Sequence, residues 1–328
     1  MSRRTYATFL LLPLLALGCG GDGDEASPGA EPIAGAREAC TKADALAGFE
    51  SRFADVDGER VHYMIGGEGP PLVLLHGWPA AWVSWKNLMP ALAARFTVVA
   101  PDLRGLGDSS VPDDFQLDAP SAAENVFGLT RQLGYPSISL AGHDWGGAVA
   151  YSYALAHRDQ VAKLALLEGG PSQDFAATQR ALPQTFWFNW FQRVEGLPEE
   201  LVAGRERLYL TWFYQNFSGR PGAIGPEDID HYVCTYSRPG SMRAGFEYYR
   251  DQEIGAESQE ALLASGGRLA MPVLAVSGQY SLGPDWAKSL DRVAERVTPA
   301  VVADAAHWVV EERPDFVLAE LERFLSAP

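Results

Sequence analysis

The sequence is poor in basic residues, in long apolar runs and in cysteine. Of its 328 residues only 26 are Lys or Arg, against 42 Asp or Glu, a formal net charge of −16. Nucleic-acid binding relies on clustered Lys and Arg at phosphates, so this balance excludes it as the main function. It also gives the chain no natural attraction to anionic lipid surfaces. The run from Phe9 to Leu17 is too short to span a bilayer, so no transmembrane helix is expected. No internal repeat is present. There are three cysteines, Cys19, Cys40 and Cys234. Apolar material, by contrast, is plentiful. With 47% hydrophobic and 11% aromatic residues, the bulk of the chain can build a sizeable core and is not disordered.

Arg3 and Arg4 precede the short apolar run, and Ala16-Leu17-Gly18-Cys19 closes it. A basic segment, an apolar segment and a small-residue cleavage site read as an export signal over residues 1–18. The last four residues resemble a bacterial lipobox, in which Cys19 carries a lipid and becomes the mature N-terminus; plain secretion is the alternative. The protein is therefore expected to be exported, as a periplasmic or outer-membrane lipoprotein or in secreted form. Loss of Arg3 and Arg4 with the signal takes the net charge from −16 to −18. Disulfides persist in exported proteins. Cys40 and Cys234 are then either a bridge tying the N-terminal arm to the rest or two unrelated thiols. Residues 20–36, rich in Gly, Ala, Asp, Glu and Pro, look like a tether, and residues 19–50 as a whole like an N-terminal arm.

Folded sequence is expected from near Phe53. Two alternating runs around Asp57-Gly58 form a hairpin signal over Phe53–Tyr63. Short, nearly continuous apolar runs follow at Leu72–Leu75, Thr97–Ala100, Ser137–Ala141, Ala162–Leu167 and Pro272–Val276. Such runs suit parallel strands buried on both faces. Helix-length segments lie between them, around Trp85–Ala94, Ser121–Leu133 and Gly147–Ala156. Strand–helix alternation predicts an α/β fold with a mostly parallel sheet. The alternation breaks between Pro171 and Gly266, where aromatic residues crowd together without strand signals and one further strand follows. That pattern predicts a helical cap, 171–266, inserted into a core of 51–170 and 267–328.

The chemistry centres on Gly142-His143-Asp144-Trp145-Gly146-Gly147, placed between a strand and a helix. This is the nucleophile-elbow pattern with Asp where many hydrolases have Ser. Its glycines allow a tight turn that exposes the central side chain, and the following helix start aims N–H groups at developing negative charge. A carboxylate is already ionised at neutral pH and attacks saturated carbon to give an alkyl ester. Hydrolysing that ester requires a base, and His307, in Asp304-Ala305-Ala306-His307 before the C-terminal helix, is the candidate. The orienting acid has two candidates. After the strand at Pro272–Val276 the chain reads Ser277-Gly278-Gln279-Tyr280-Ser281, without a carboxylate, and Asp285 comes several residues late. Glu168 ends the preceding strand, at the carboxyl edge where ligands bind in such sheets, and is preferred. His76-Gly77-Trp78-Pro79 follows another strand; the N–H of Trp78 and that of Trp145 are the expected oxyanion hole. His76 and Asp102 are read as structural.

Together these residues resemble the α/β-hydrolase superfamily, in its epoxide hydrolase and haloalkane dehalogenase branch, over about residues 53–326. HGWP, DLRG, GHDWGG and a late His in that order carry the resemblance. Gly245-Phe246-Glu247-Tyr248-Tyr249-Arg250 is similar to the epoxide hydrolase segment bearing the ring-opening tyrosine, which implies that role for Tyr249. Glu168, with Leu201-Val202-Ala203-Gly204-Arg205-Glu206-Arg207, looks like the secreted bacterial subgroup typified by the inhibitory factor of the cystic fibrosis chloride channel, which takes its acid from the Glu position. One departure stands out. Epoxide hydrolases usually carry a second donor, Tyr or His, in the cap, and matching Leu197-Pro198-Glu199 puts Trp187 there. An indole N–H donates a hydrogen bond but cannot deliver a proton. Trp187 is then a supporting donor, a member with Trp145 of a halide cradle, or a core aromatic. Trp187 and His143 are the residues expected to face substrate.

The resemblance implies a cofactor-independent, metal-free enzyme that opens small apolar epoxides to vicinal diols through an ester on Asp144. The alternative is a haloalkane or haloacetate dehalogenase with the same nucleophile. Against it, Trp78 stands where haloalkane dehalogenases often have Asn, and Trp145 where haloacetate enzymes usually have Arg. A non-catalytic binding protein on this scaffold would have a damaged triad. No nucleic-acid partner is expected, and membrane contact only through a lipid on Cys19.

Overall fold

A computed structural model describes residues 46–327. The export signal, the tether and Cys40 lie outside the described residues. Eight strands form one sheet in the order β1-β2-β4-β3-β5-β6-β7-β8. The hairpin pairs β1 (Phe49–Val56) with β2 (Glu59–Gly66), so the first strand begins four residues before Phe53. Asp57 and Gly58 both take positive φ, 52° and 87°, the turn geometry that suits a twisted two-residue hairpin loop. The β1–β2 and β2–β4 pairings are antiparallel, and the remaining pairings are parallel.

The inner strands β3 (Pro71–Leu75), β4 (Thr97–Pro101), β5 (Ile138–His143), β6 (Val161–Leu167) and β7 (Val273–Gly278) coincide with the five apolar runs. β8 (Val297–Val302) is an additional strand. It lies at the sheet edge, is half exposed and contains Pro299, which an edge tolerates because one side of its backbone needs no ladder partner. Helices α1 (Ala119–Gln132) and α2 (Trp145–Ala156) follow the expected segments. The helix expected over Trp85–Ala94 is instead a short 3-10 turn, Trp82–Trp85, and one helical turn, Met89–Leu92, with Pro90 in its first turn. Proline has no N–H for the preceding turn, so the two cannot merge.

Every residue of α2 but the last, Ala156, is buried, because sheet and cap cover it from both sides. The cap is seven helices between β6 and β7: α3 (Ser172–Ala181), α4 (Trp187–Gln192), α5 (Leu197–Val202), α6 (Glu206–Asn216), α7 (Pro226–Tyr236), α8 (Ser241–Arg250) and α9 (Gln252–Gly266). The chain ends in α10 (Pro314–Ser326). Trp78, Trp82, Trp85 and Trp308 are almost wholly buried; truncating such a side chain to Ala costs about 3–5 kcal/mol. Cys234, on α7, is buried and disulfide-bonded. Among the described residues no helix is long and apolar enough to cross a membrane.

Candidate active site

Asp144 sits between β5 and α2 with φ 55° and ψ −123°, a backbone state that non-glycine residues adopt only when their surroundings impose it. The glycines around it are required by contact. A Cβ on Gly142 would lie 2.1 Å from the Gly146 carbonyl oxygen, and one on Gly146 would lie 2.3 Å from that of Leu75. Gly77 has the same restriction: a Cβ there would meet the Asp144 carboxylate at 2.4 Å. This close approach lets the Trp78 N–H donate to Asp144 Oδ1 at 2.8 Å. The Trp145 N–H also stabilises the carboxylate, so both expected oxyanion donors face this group.

His307 stands between two carboxylates, its Nε2 3.3 Å from Asp144 Oδ2 and its Nδ1 3.2 Å from Glu168 Oε2. Burial disfavours the imidazolium, but the hydrogen bonds and charges of Asp144 and Glu168 outweigh it and raise the pKa to about 10. Burial likewise works against the Asp144 carboxylate, and His307 more than compensates, lowering its pKa. Glu168 has a fully buried side chain and positive φ, 47°. Its Oε1 accepts from the N–H groups of Gly278 (2.7 Å) and Leu282 (3.3 Å). Those two donors occupy the turn after β7 that lacks a carboxylate in the sequence. A Cβ on Gly278 would lie 1.9 Å from the Ala306 carbonyl oxygen, so the glycine brings this turn against the His307 loop. Asp285 is not part of the cluster; it is exposed and paired with Lys288 at 2.6 Å.

Tyr249, on α8, lines the same cavity as Asp144, His307 and Glu168. Its ring meets those of Trp78 and Trp145 edge-on, with centroids 5.5 and 5.2 Å apart. Burial first, and then the Asp144 charge, raise its pKa well above the ordinary phenol value, so it is a neutral O–H donor. The other cap residues on the cavity are largely aromatic, including Phe175, Phe186, Phe188, Phe213 and Phe217.

Two expected substrate contacts are corrected. Trp187 does not line the cavity; it is 39% exposed and packs against Trp212 and Phe191 on the outside of the cap. Its neighbours Phe186 and Phe188 point inward in its place, Phe188 edge-on to Tyr249 at 5.9 Å. Neither Phe has a polar hydrogen to donate. His143 also stays off the cavity; it is buried behind the site, with Nε2 bonded to the backbone carbonyl of His307 at 2.8 Å. Burial and the nearby His307 charge lower its pKa to about 4, so it is neutral and fixes the loop that carries the base.

A second histidine–carboxylate cluster lies outside the cavity. Asp102 accepts from His62 Nδ1 (2.8 Å) and from the N–H groups of Trp82 (2.9 Å) and Asp108 (2.8 Å). His76 accepts the Leu103 N–H on Nε2 at 3.0 Å and donates from Nδ1 to the Gly77 carbonyl at 2.8 Å, as a structural residue does. Ligand atoms of His62, Asp102 and Asp108 lie within 4.8 Å of one another. They are already committed, however: His62 Nε2 to Ser51 and Asp108 to Arg238. The cluster therefore fits a structural network better than a metal.

Comparison with known proteins places this geometry. The family described as alpha/beta hydrolase fold matches residues 70–314. A soluble epoxide hydrolase of Corynebacterium sp. (strain C12) is 38% identical over 281 residues, covering 83% of this chain and 96% of its own. A fluoroacetate dehalogenase of Burkholderia sp. is 30% identical over 295 residues, covering 85% and 94%. Among solved structures, Cfl2 of Burkholderia cenocepacia superposes with a TM-score of 0.78 at 37% identity, covering 85% of this chain and 96% of that one.

Proposed function

Because the chain belongs to the α/β-hydrolase fold family, in its epoxide hydrolase branch, we propose that it opens epoxides to vicinal diols through an ester on Asp144. The observation that carries this reading is the placement of one buried neutral phenol, Tyr249, on the same cavity as a carboxylate nucleophile backed by His307 and Glu168. Asp144 Oδ attacks an epoxide carbon, the C–O bond of the ring breaks, and the Tyr249 O–H gives its proton to the departing oxygen. An alkoxide leaves poorly unless it is protonated or hydrogen-bonded.

Esterification then changes the electrostatics in the useful direction. Asp144 loses its charge, which removes one of the two carboxylates that hold the proton on His307 and also the charge that opposes a Tyr249 phenolate. The imidazolium of His307 passes its proton to the Tyr249 phenolate, and the neutral His307, oriented by Glu168, then takes a proton from water as that water attacks the ester carbonyl. The Trp78 and Trp145 N–H groups, already at the carboxylate, stabilise the tetrahedral oxyanion. The tetrahedral intermediate then breaks its bond to the glycol oxygen, which takes the second proton of that water and leaves as the diol, so that Asp144 is again a carboxylate, His307 again protonated and Tyr249 again a phenol. With Phe188 beside Tyr249 and Trp187 outside, the ring-opening proton comes from Tyr249. The chain's beginning supports export by the signal at residues 1–18, with a lipid on Cys19 or release after cleavage.

The test is a trapped intermediate. His307→Gln is incubated separately with a terminal epoxide, a haloalkane and fluoroacetate, and its intact mass is measured. The expected result is an adduct of the epoxide's mass on Asp144. An adduct from a halide substrate, with none from any epoxide, replaces this reading with dehalogenation.

A further inference from the structure

The cap is apolar on its outer side as well as toward the cavity. Among the described residues ten large apolar side chains are exposed, and seven of them fall between Leu182 and Leu208. Helix α4 is inside out. Its inward face carries Phe188 with two buried polar residues, Asn189 and Gln192, while Trp187, Trp190 and, just past its end, Val194 face outward. A helix that met only water on its outer side would turn those faces round. The outward side chains form one face. Trp187 meets Trp212 of α6 at 5.1 Å and Phe191 at 5.9 Å, and Phe191 meets Tyr209 of α6 at 5.9 Å. Leu208, one turn before Trp212, is 73% exposed. Arg193 lies over the Trp190 ring at 6.0 Å. Arg250 links the Val194 carbonyl, at 2.6 Å, to Glu199 of α5, at 2.8 Å, and Leu197 and Leu201 protrude from that helix one turn apart. Phe188 lines the cavity, so α4 has the cavity on one side and this face on the other.

We propose that the outward face of α4, α5 and α6 docks on the surface of a zwitterionic lipid bilayer. Its charge fits that occupant. From Arg180 to Trp212 the chain carries four Arg and four Glu, a balanced stretch in a chain of net charge −16. This face is therefore not repelled by lipid headgroups as an acidic surface would be. Its composition fits as well: Trp rings settle at the headgroup level, Leu enters the acyl boundary, and Arg keeps its charge among headgroups while its stem lies on apolar surface. A second copy of the chain fits less well, because the cores of protein interfaces are depleted of charge. Here Glu199 and Glu200 stand between Leu197 and Leu201, and Arg207 beside Leu208. The choice of a bilayer also rests on the export reading, with its lipid on Cys19, and not on the epoxide chemistry. The 27 residues from Cys19 to Ala45 reach at most about 95 Å. Such a tether keeps the domain near a bilayer at high local concentration without choosing which side of it makes contact. The cap face makes that choice, and docking sets α4 between the bilayer, where apolar epoxides dissolve, and the cavity.

The test uses the mature polypeptide, residues 19–328, made without its lipid so that the anchor cannot carry the result. Partition onto vesicles of phosphatidylcholine and phosphatidylethanolamine is measured by flotation for three proteins. These are the wild type, the double variant Trp190→Gln/Leu208→Gln, and Phe53→Gln, which alters an exposed aromatic on the edge strand β1. Matching thermal unfolding midpoints show that all three are folded, whatever substrate the enzyme takes. The wild type is expected to float with the vesicles. The double variant should partition at least tenfold more weakly, and Phe53→Gln within twofold of the wild type. Lipid brominated in its acyl chains should quench the wild type's tryptophan emission and quench that of the double variant less. A wild type that stays off the vesicles, or an equal loss in Phe53→Gln and the double variant, overturns the docking face. A wild-type dimer that forms without lipid and is lost in the double variant gives the face to a second copy and also overturns it.

Discussion

The two histidine–carboxylate clusters invert each other's stoichiometry. Around Asp102 one carboxylate meets two imidazoles, His62 at 2.8 Å and His76 at 3.5 Å. Around His307 one imidazole meets two carboxylates. In the first, burial opposes the charge of Asp102, but the hydrogen bond and charge of His62 and the Asp108 N–H outweigh it and hold its pKa well below the usual carboxylate range. Burial keeps His76 neutral, with a lowered pKa. In the second the surplus is negative, and the proton is held tightly on His307. The group with excess partners has its charge fixed; the groups that share it are the ones free to change. Asp102 shares its donors with nothing reactive and is 1% exposed, whereas Asp144 opens onto the cavity. Similar residue types thus yield a fastener in one place and a reacting centre in the other.

That contrast can be broken by substitution. The largest effect is expected for Asp144→Ala, which removes the atom that forms the ester. Its kcat/KM for an epoxide should fall by about 10⁴ or more, and stability should fall as well, because His307 loses one of the two carboxylates that hold its charge. If Asp102→Asn abolished activity equally without loss of stability, the division of labour would be wrong. Next is Glu168→Gln, which leaves His307 without its anionic partner. Turnover should fall by about 10³, and rapid mixing should show ester accumulating, since hydrolysis suffers more than alkylation. For Asp102→Asn the expected loss is one of stability, about 3 kcal/mol as a buried charge network is broken, read from denaturant unfolding. Activity per folded molecule should remain within severalfold of the wild type.

A pH series sharpens the same comparison. The folded pKa of His307, about 10, lies above its unfolded value of 6.5. Its contribution to stability is complete below pH 6.5 and is lost as pH rises from there through 10. The decline in that window should be shallower in His307→Gln; identical wild-type and variant profiles would contradict the ion-pair account. The smallest effect concerns the cap. Tyr249→Phe should cost about 10² in the alkylation rate, whereas Trp187→Phe, outside the cavity, should stay within twofold. A loss for Trp187→Phe matching that of Tyr249→Phe would restore the indole to the site.

Much of this site is legible in the sequence because tight geometry leaves few residue choices. Gly142, Gly146 and Gly77 are where a Cβ cannot fit, and Asp144 stands between them. Glu168 could be preferred over Asp285 from its place at a strand end, and the structure adds what sequence could not show: backbone N–H groups of Gly278 and Leu282 hold it. Trp187 was harder to read. Among four aromatics in Phe186-Trp187-Phe188-Asn189-Trp190, spacing alone does not say which face inward, since the helix begins within the run and its phase is set by packing on α6 and α8. His143 looks like a substrate contact because it adjoins the nucleophile, but neighbours along a strand end point in opposite directions. β8 escaped because Pro299 and partial exposure hide an edge strand's pattern.

The cap is joined to the catalytic loop by more than its two chain connections. Tyr214 on α6 donates to the Pro79 carbonyl at 2.5 Å, and Tyr236 on α7 donates to that of Ala80 at 2.9 Å. Both oxygens lie within two residues of the Trp78 N–H that grips Asp144. A cap that swung away as a door would pull on the very donor the nucleophile depends on. The roof of the cavity is thus also part of the anchorage of that donor, and loosening either phenol would slacken the hold on Asp144 from a distance.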